Sequence, residues 1–260
     1  MREFGINLHA VGGLSDEQYI KAIAALGFTA TFDLPCEAER QKQLARLADK
    51  YGVRFDTLHA PFRRINDMWS QDEVGDAMLD VLKKTVDHCL IVGAPIAVVH
   101  LSSGENAPAI TDVGRDRFSR LVKYAATKNV KIAFENQRKL ANLAWAFETF
   151  DESIVGFCWD CGHESCFTPG RKYMPLFANR LACVHIHDNF GVYNEDSHLL
   201  PFDGKIDFEQ VAAQLRSASF DGALMLEAVT ENSNVYNGID PLQYLEHAAI
   251  AAKKLSEMVQ

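Results

Sequence analysis

The 260-residue sequence predicts an α/β protein, a single (β/α)8 TIM barrel forming one domain over residues 1–260. Three observations lead to this prediction. Short apolar runs typical of strands alternate with amphipathic helical segments along the whole chain. No linker or low-complexity segment interrupts the alternation. Most of the predicted strands also end in a histidine or an acidic residue, and TIM barrels carry their functional groups at the carboxyl ends of the strands.

Capping residues place the helices between the strands. Ser15 is a typical helix N-cap, and Gly27 and Gly52 are typical residues just after a helix C-terminus. Asp207 caps a later helix, and Asp240-Pro241 begins the last one. The strands are predicted near residues 3–9, 29–34, 54–59, 95–100, 130–135, 155–160, 181–189 and 223–227.

The seventh predicted strand shows the pattern expected of a barrel strand. Side chains two residues apart share a face, so Cys183, His185 and His187 point one way and Val184 and Ile186 the other. An apolar outer row suits packing against helices, and an inner row of imidazoles suits a polar site inside the barrel. An open doubly wound sheet is the second fold hypothesis, but no glycine-rich phosphate motif follows the first strand.

Composition indicates a soluble protein that repels polyanions. The formal net charge is −9, and no loop carries the basic, aromatic-rich patch expected for gripping a nucleic acid duplex. No signal peptide or membrane-length apolar run is apparent, and six cysteines without framework spacing favour reduced thiols. We therefore expect a cytoplasmic protein without a membrane partner. The Cys158–Cys161 pair has redox spacing, but its position at a strand end beside Asp160 favours a structural role.

The strand ends predict a divalent metal site. Each of these side chains alone could be a helix cap, a salt-bridge partner or a hydrogen-bonded core residue. Their convergence at one barrel mouth would cost several kcal/mol in desolvation unless they were paired or bound to metal. The strand-end residues with metal-binding side chains are His59, His100, Glu135, Asp160, His185 and Glu227.

These residues lie in motifs that resemble the xylose isomerase-like barrels, which include sugar phosphate isomerases and epimerases and endonuclease IV. The resemblance covers nearly the whole chain, and its most specific features are the Asp160-x-x-His163 and His185-x-x-Asp188 pairs. The matching motifs are Leu58-His59-Ala60-Pro61, Val99-His100, Phe134-Glu135-Asn136, Trp159-Asp160-Cys161-Gly162-His163, His185-Ile186-His187-Asp188-Asn189 and Leu226-Glu227.

The resemblance implies that Glu135, Asp160, His185 and Glu227 are the primary metal ligands. It also provides counterparts of all nine ligands of the trinuclear zinc site in the nuclease branch, the additional ones being His59, His100, His163, Asp196 and His198. Such a donor set suits Mn, Mg or Co, and with the extra histidines Zn.

The favoured function is a metal-dependent isomerase or epimerase that acts on a sugar or sugar phosphate. Glu135 and Glu227 would exchange protons next to a metal-bound carbonyl, and His163 would orient a substrate oxygen. The predicted substrate-binding residues are His187, Phe62, Trp69 and Lys205. For His187 a hydrogen bond to a ligand carboxylate is the competing interpretation.

Three other functions remain open. One is an endonuclease IV-like zinc phosphodiesterase, which the nine matching ligand positions favour and the acidic charge disfavours. The second is a lyase or dehydratase that uses the same proton abstraction. The third is a barrel that binds metal or sugar without catalysis. Barrels of this group often associate, so a homo-oligomer is also compatible with the resemblance.

Overall fold

The computed structural model describes residues 2–260, and in it eight parallel strands form one barrel, as the sequence predicts. Each strand pairs in parallel with its sequence neighbours, in the order β7-β6-β5-β4-β3-β2-β1-β8. The strands are β1 (Phe4–Asn7), β2 (Ala30–Asp33), β3 (Arg54–His59), β4 (Ile96–His100), β5 (Lys131–Glu135), β6 (Val155–Asp160), β7 (Leu181–His185) and β8 (Leu224–Leu226).

The barrel closes between β7 and β8 through fewer contacts than its other strand pairs. One parallel bridge joins Ile186 to Leu226 there. The Ile186 amide donates to the Met225 carbonyl at 2.8 Å, and the Glu227 amide donates to the Ile186 carbonyl at 3.0 Å. These bonds bring the ends of the seventh and eighth strands together, and with them His185 and Glu227.

Helices surround the barrel and begin and end where the capping residues predict. Ser15 and Gln18 form a reciprocal capping box, and Gly27 and Gly52 follow their helices in left-handed conformations. Short 3-10 turns occur at 65–69, 178–180 and 234–236. The α-helices are α1 (Asp16–Leu26), α2 (Ala38–Tyr51), α3 (Val74–Val92), α4 (Asp112–Thr127), α5 (Leu140–Thr149), α6 (Cys161–Phe167), α7 (Met174–Phe177), α8 (Phe208–Ser217) and α9 (Pro241–Met258).

The two faces of β7 pack as the alternation predicts. Val184 and Ile186 belong to the large apolar core between the strands and the helices. Cys183 instead lies inside the barrel, in a small cluster with Val98, Ala133 and Cys158. Inward-pointing residues one step nearer the carboxyl ends therefore lie above this apolar layer, at the mouth.

The predicted length of the seventh strand is wrong. β7 ends at His185, where its ladder with β6 also ends; beyond it Ile186 forms an isolated parallel bridge with Leu226, and Asp188 an antiparallel bridge with Leu199 of the returning loop. β1 is likewise shorter than predicted, with four residues. Among residues 2–260, no helix has the combination of length and apolar character that a membrane span requires.

Candidate metal centre and active site

The barrel mouth gathers the strand-end residues that the sequence predicts. Five of them are the last residues of consecutive strands, and Glu227 follows β8 directly. Their side chains are buried, since none of the five exceeds 4% exposure. The five strand-terminal residues are His59, His100, Glu135, Asp160 and His185.

Four donors converge at the centre of the mouth. Nδ1 of His185 lies 3.1 Å from Oε1 of Glu135 and 3.3 Å from Oε2 of Glu227. Potential ligand atoms of these three residues and of Asp160 all lie within 4.8 Å of one another. Among the described residues, the three carboxylates form ion pairs only with histidines. Three carboxylates without a lysine or arginine partner, of which those of Glu135 and Asp160 are buried, form a donor set that fits a divalent cation.

A second group shares Glu135 with the first. His100 Nε2 lies 2.6 Å from Glu135 Oε2, and His59 Nε2 lies 3.1 Å from the same oxygen. Because Glu135 directs Oε1 to His185 and Oε2 to these two imidazoles, its carboxylate bridges both groups. The His59 ring is fixed by a 2.8 Å contact of its Nδ1 with the Ala60 carbonyl.

A third group lies beside the loop that follows β7. Asp196 Oδ2 lies 3.1 Å from His163 Nε2 and 3.0 Å from His198 Nε2. His187 belongs to the same group and stacks on His198 with ring centroids 4.0 Å apart. His198 adopts a positive φ of 44° and is held there by its Nδ1 contact with the Glu227 carbonyl at 2.7 Å.

His187 contacts a predicted ligand rather than a large open space. It is fully buried, and its Nε2 lies 3.1 Å from Oδ1 of Asp160. It does not line the main cavity of the mouth. This position matches the alternative in which His187 orients a ligand carboxylate. The ring fits because residue 162 is glycine, since a Cβ there would lie 1.9 Å from the His187 ring.

Burial and the neighbouring charges shift the pKa values of the clustered side chains in opposite directions. Burial alone would raise the pKa of the Glu135 carboxyl, but His100, His185 and His163 together hold it well below its usual value. Burial would lower the pKa of His185, but Glu227 and Glu135 raise it well above the ordinary imidazole value. His100 and Asp160 are exceptions, because burial outweighs their charged partners. It lowers the pKa of His100 to about 4 and raises the pKa of the Asp160 carboxyl.

In the third group, too, burial and neighbouring charges shift the pKa values in opposite directions. Burial would lower the pKa of His198, but the hydrogen bond and charge of Asp196 raise it to about 9. Protons on the imidazoles therefore balance the carboxylates in the absence of a cation. Because metal ligands must be deprotonated, cation binding to these residues would displace those protons.

Two residues that support the ligands were not assigned roles from the sequence. The Asn136 side chain donates to the Asp160 carbonyl and accepts from the Asp160 amide, both at 2.8 Å. Gln137 Nε2 lies 3.0 Å from His163 Nδ1, and Tyr173 donates a 2.7 Å hydrogen bond to the Gln137 carbonyl. The only signal for Gln137 is its place two residues after Glu135, at a strand end.

Asp188 organises the loop that carries Asp196 and His198. Its carboxylate accepts backbone hydrogen bonds from Asn189, Phe202, Gly204 and Ile206 at 2.8 to 3.1 Å. The sequence marked Asp188 as part of a motif but gave no reason for it. The structure explains its presence, because this single carboxylate accepts hydrogen bonds from four backbone amides of a loop that contains no helix or strand.

A cavity of about 290 Å³ opens above the donors. Phe62 forms one wall, is 43% exposed and stacks on His100 with ring centroids 4.6 Å apart. The residues that line the cavity are His59, Phe62, His100, Ser103, Gly104, Gln137, Arg138, His163, Phe167, Asp196, His198 and Glu227.

Besides His187, two more of the four predicted substrate-binding residues lie away from this cavity. Trp69 is buried at 2% exposure, donates through Nε1 to the Leu101 carbonyl at 2.6 Å and packs against Phe118 and Trp145. Its loop folds inward, so the indole is part of the core. Lys205 lines a separate cavity of about 330 Å³ between α6 and α8.

Comparisons with known proteins agree with this architecture. The family model described as xylose isomerase-like TIM barrel matches residues 20–254. An uncharacterized protein of Sinorhizobium fredii, y4fM, is 27% identical over 265 residues, covering 94% of this chain and 83% of the relative.

Among solved structures, the D-psicose 3-epimerase of Clostridium cellulolyticum H10, crystallised with D-tagatose, superposes with a TM-score of 0.82 at 13% identity, with 99% of each chain covered. A D-tagatose 3-epimerase-like protein gives a TM-score of 0.78 at 21% identity, covering 99% of this chain and 98% of that one. The family match covers most of the chain, and the chain therefore belongs to the xylose isomerase-like TIM barrel family.

Proposed function

We propose that this protein is a divalent-metal-dependent isomerase or epimerase that acts on a sugar. The observation that carries the proposal is the position of Glu135 and Glu227, whose carboxylates approach the same nitrogen of His185 from different strands, at 3.1 and 3.3 Å. Of two carboxyl groups that face one point, the ionised one can remove a proton from one side of a carbon and the protonated one can donate a different proton to the other side. The epimerase titles of the similar structures support the same reaction class.

The metal would be held by Glu135, Asp160, His185 and Glu227, and when bound it would polarise a substrate carbonyl as a Lewis acid. Glu227 borders the cavity, so we assign it the removal of the proton next to that carbonyl. Glu135 is fully buried behind His59 and His100 and, once it has itself taken up a proton, would donate that proton from the other side while Glu227 keeps the one it removed. His163 borders the cavity and can orient a substrate oxygen.

The position to which the proton returns decides the product. Return to the same carbon from the opposite side inverts that carbon, whereas return to the former carbonyl carbon moves the carbonyl. A lyase or dehydratase would use the same first step and then expel a leaving group. Detection of a product that has lost water would assign the protein to that reaction instead.

The first test is metal content by mass spectrometry on the purified protein. We expect about one tightly held ion per chain, lost in Glu135→Gln and retained in His198→Ala. His247→Gln is the matched control, since this histidine is exposed on α9. Absence of any bound metal after reconstitution with Mn, Mg, Co or Zn would contradict the proposal.

The second test is solvent proton exchange by NMR in D2O with a panel of ketoses. We expect deuterium to enter next to the carbonyl, and Glu227→Gln to slow this incorporation by about 10²–10⁴-fold, the usual contribution of a general base. Glu209→Gln removes an exposed carboxylate on α8 and should leave the rate unchanged. A Glu227→Gln protein with wild-type exchange would exclude Glu227 as the base.

An endonuclease IV-like phosphodiesterase is the second candidate, and one observation favours it. The three groups described above supply counterparts of nine ligands, with Glu135 shared between two of them. The net charge of −9 weighs against binding to a DNA duplex. Three zinc ions per chain, with loss of one in His198→Ala and cleavage of a duplex that contains an abasic site, would favour this candidate over the first.

A further inference from the structure

A cavity of about 340 Å³ lies beside the cavity above the donors and shares Arg138 and Phe167 with it. Three cationic residues, Arg138, Lys139 and Arg171, contribute to its lining. They come from two loops, one between β5 and α5 and the other between α6 and α7. The fold therefore concentrates positive charge at one place in a chain whose formal net charge is −9.

All three cations bond to neutral oxygens in the part of the chain that the structure describes. Arg171 Nη1 donates to the Arg138 carbonyl at 3.1 Å, and Arg138 Nη2 donates to Oδ1 of Asn194. Lys139 Nζ donates to the backbone carbonyls of residues 107 and 108. These bonds hold the cations in place without neutralising their charge. Because a guanidinium or an ammonium has more N–H donors than these bonds use, donors remain for a ligand.

Arg138 is also held by an aromatic ring. Its guanidinium carbon lies 3.6 Å from the centroid of the Phe167 ring. The stacking and the hydrogen bond to Asn194 restrict the guanidinium to one orientation, so little side-chain freedom is lost when it binds a ligand. A planar guanidinium presents pairs of N–H groups that match two oxygens of one phosphate group.

The charge of the cavity favours a dianion. Glu105 supplies its only carboxylate, and neither histidine nor aspartate occurs among the residues that line it. Oε1 of Glu105 accepts a 3.1 Å hydrogen bond from the Tyr193 hydroxyl. Three cations against one carboxylate leave a formal charge of +2. A phosphate monoester carries close to two negative charges at neutral pH, and opposite charges attract most strongly where water is partly excluded.

The arrangement suits one phosphate group better than a nucleic acid backbone. A duplex presents a row of phosphates and binds through many separate cations along its length. Here the three cations surround a single cavity instead.

We propose that this cavity is a binding site for one phosphate group, held by Arg138, Lys139 and Arg171. The phosphate belongs either to a phosphate monoester whose other end extends past Arg138 into the cavity above the donors, or to a separate anion. The two sources share the same chemistry of recognition. The inference does not rest on the proposed isomerase or epimerase reaction, because binding of an anion requires no catalysis.

The first test is binding of inorganic phosphate to the metal-loaded protein, measured by isothermal titration calorimetry. We expect Arg171→Gln to weaken binding by at least about tenfold, since charge-assisted hydrogen bonds to the anion are lost. Arg46→Gln removes an exposed arginine of α2 and changes the net charge equally, so it should leave the affinity unchanged.

Glu105→Gln provides a result that damage to the fold cannot imitate. Removal of the cavity's only carboxylate should tighten phosphate binding by about twofold to fivefold, the scale of one partly exposed charge interaction. Glu209→Gln neutralises an exposed carboxylate on α8 and should not change the affinity.

D-Fructose 6-phosphate and D-fructose distinguish the two sources of the phosphate. Tighter binding of D-fructose 6-phosphate than of inorganic phosphate, lost in Arg171→Gln, would assign the phosphate to a monoester that fills both cavities. Equal affinities, with D-fructose binding unaffected by inorganic phosphate, would assign it to a separate anion. Either result retains the site.

Phosphate could instead bind to the metal. Binding that is lost on chelation and is equal in Arg171→Gln and Arg46→Gln would overturn the inference, as would the absence of binding at millimolar phosphate. Both results would leave the proposed reaction standing, because deuterium incorporation tests it separately. Conversely, phosphate binding that depends on Arg171 in a protein without deuterium incorporation would retain the site and refute the reaction.

Discussion

Gly162 shows how a single residue can determine the geometry of the candidate metal centre. It lies in the first turn of α6, between Asp160 and His163, and the His187 ring occupies the space where its Cβ would be. The ring has no room to retreat, because it is fully buried, contacts Asp160 at 3.1 Å and stacks on His198. The absence of a side chain at position 162 is therefore required by an imidazole in the segment that follows β7.

Gly162→Ala should consequently destabilise the protein, although alanine normally favours a helix over glycine. We expect a loss of about 1–3 kcal/mol in the free energy of unfolding, typical of an overpacked core, together with weaker metal binding. Gly12→Ala is the matched control, since no atom lies within 4 Å of a Cβ placed at Gly12. Equal unfolding free energies and metal affinities for the two variants would contradict this explanation.

The convergence of the strand-end residues at the barrel mouth could be predicted from the sequence, whereas the residues that support them could not. Glu135 and Asp160 each close an apolar strand, so position alone makes them candidates. The role of Gln137 follows only from its contact with His163, a residue that follows another strand. Contacts of that kind depend on how distant strands align, which periodicity does not encode. Trp69 illustrates the converse, because an aromatic residue in a mouth loop proved to be core.

At the scale of elements, Arg117 of α4 fixes the segment between β3 and α3. Its guanidinium is 3% exposed and donates to the backbone carbonyls of Met68, Ser70 and Asp72. It also pairs with Asp76 at 3.2 Å, at the start of α3. The guanidinium carries several N–H donors in one plane, which explains why one side chain can donate to three backbone carbonyls of this irregular segment.

Arg117→Lys should release this segment, because an ammonium group cannot reach the same set of carbonyls. We expect a loss of roughly 3 kcal/mol in unfolding free energy, since buried carbonyls remain unpaired. Hydrogen exchange measured by mass spectrometry should accelerate in residues 62–73, which include Phe62 above the centre. Arg115→Lys, on an exposed position of the same helix, is the control. Exchange unchanged in residues 62–73 would show that other contacts hold the segment.

Element boundaries were predictable where local chemistry sets them. β3 and β6 end where the apolar pattern ends, and α1 begins at its capping box. The end of β7 was not predictable, because residues 186–189 leave the strand to pair with β8 and with the returning loop. That change of partner depends on barrel closure, which is a property of the whole chain.

At the scale of the molecule, the metal-free protein should lose stability as the pH rises through the neutral range. The folded-state pKa of His198 is about 9, above its ordinary value of 6.5, so its protonated form stabilises the fold fully below 6.5 and ceases to do so above 9. The folded-state pKa values of His163 and His185 are also raised, so these residues also stabilise the fold less as the pH rises. The folded-state pKa of His100 is lowered instead, so His100 reduces the stability as the pH falls from 6.5 to about 4 and has no effect on its change at higher pH.

We expect chelated protein to lose about 2–3 kcal/mol of unfolding free energy through His198 between pH 6.5 and 9, as measured by denaturant titration. His198→Gln should flatten this dependence, and His247→Gln should not. Metal-loaded protein should show a weaker loss or a gain, because deprotonated ligands bind cations more tightly. A chelated protein whose stability rises over this interval would disprove the assignment of charge to these imidazoles.

The contact between β7 and β8 also has a consequence for synthesis of the chain. β1 begins at residue 4, but its second neighbour, β8, spans residues 224–226. A growing chain can pair β1 through β7 in order as each strand leaves the ribosome, yet the ring stays open until residues 224–226 have emerged. Until then β1 and β7 each present an unpaired edge, which is the part of a sheet most prone to aggregation. The last strand thus ends a vulnerable period at the same moment that it brings Glu227 to His185.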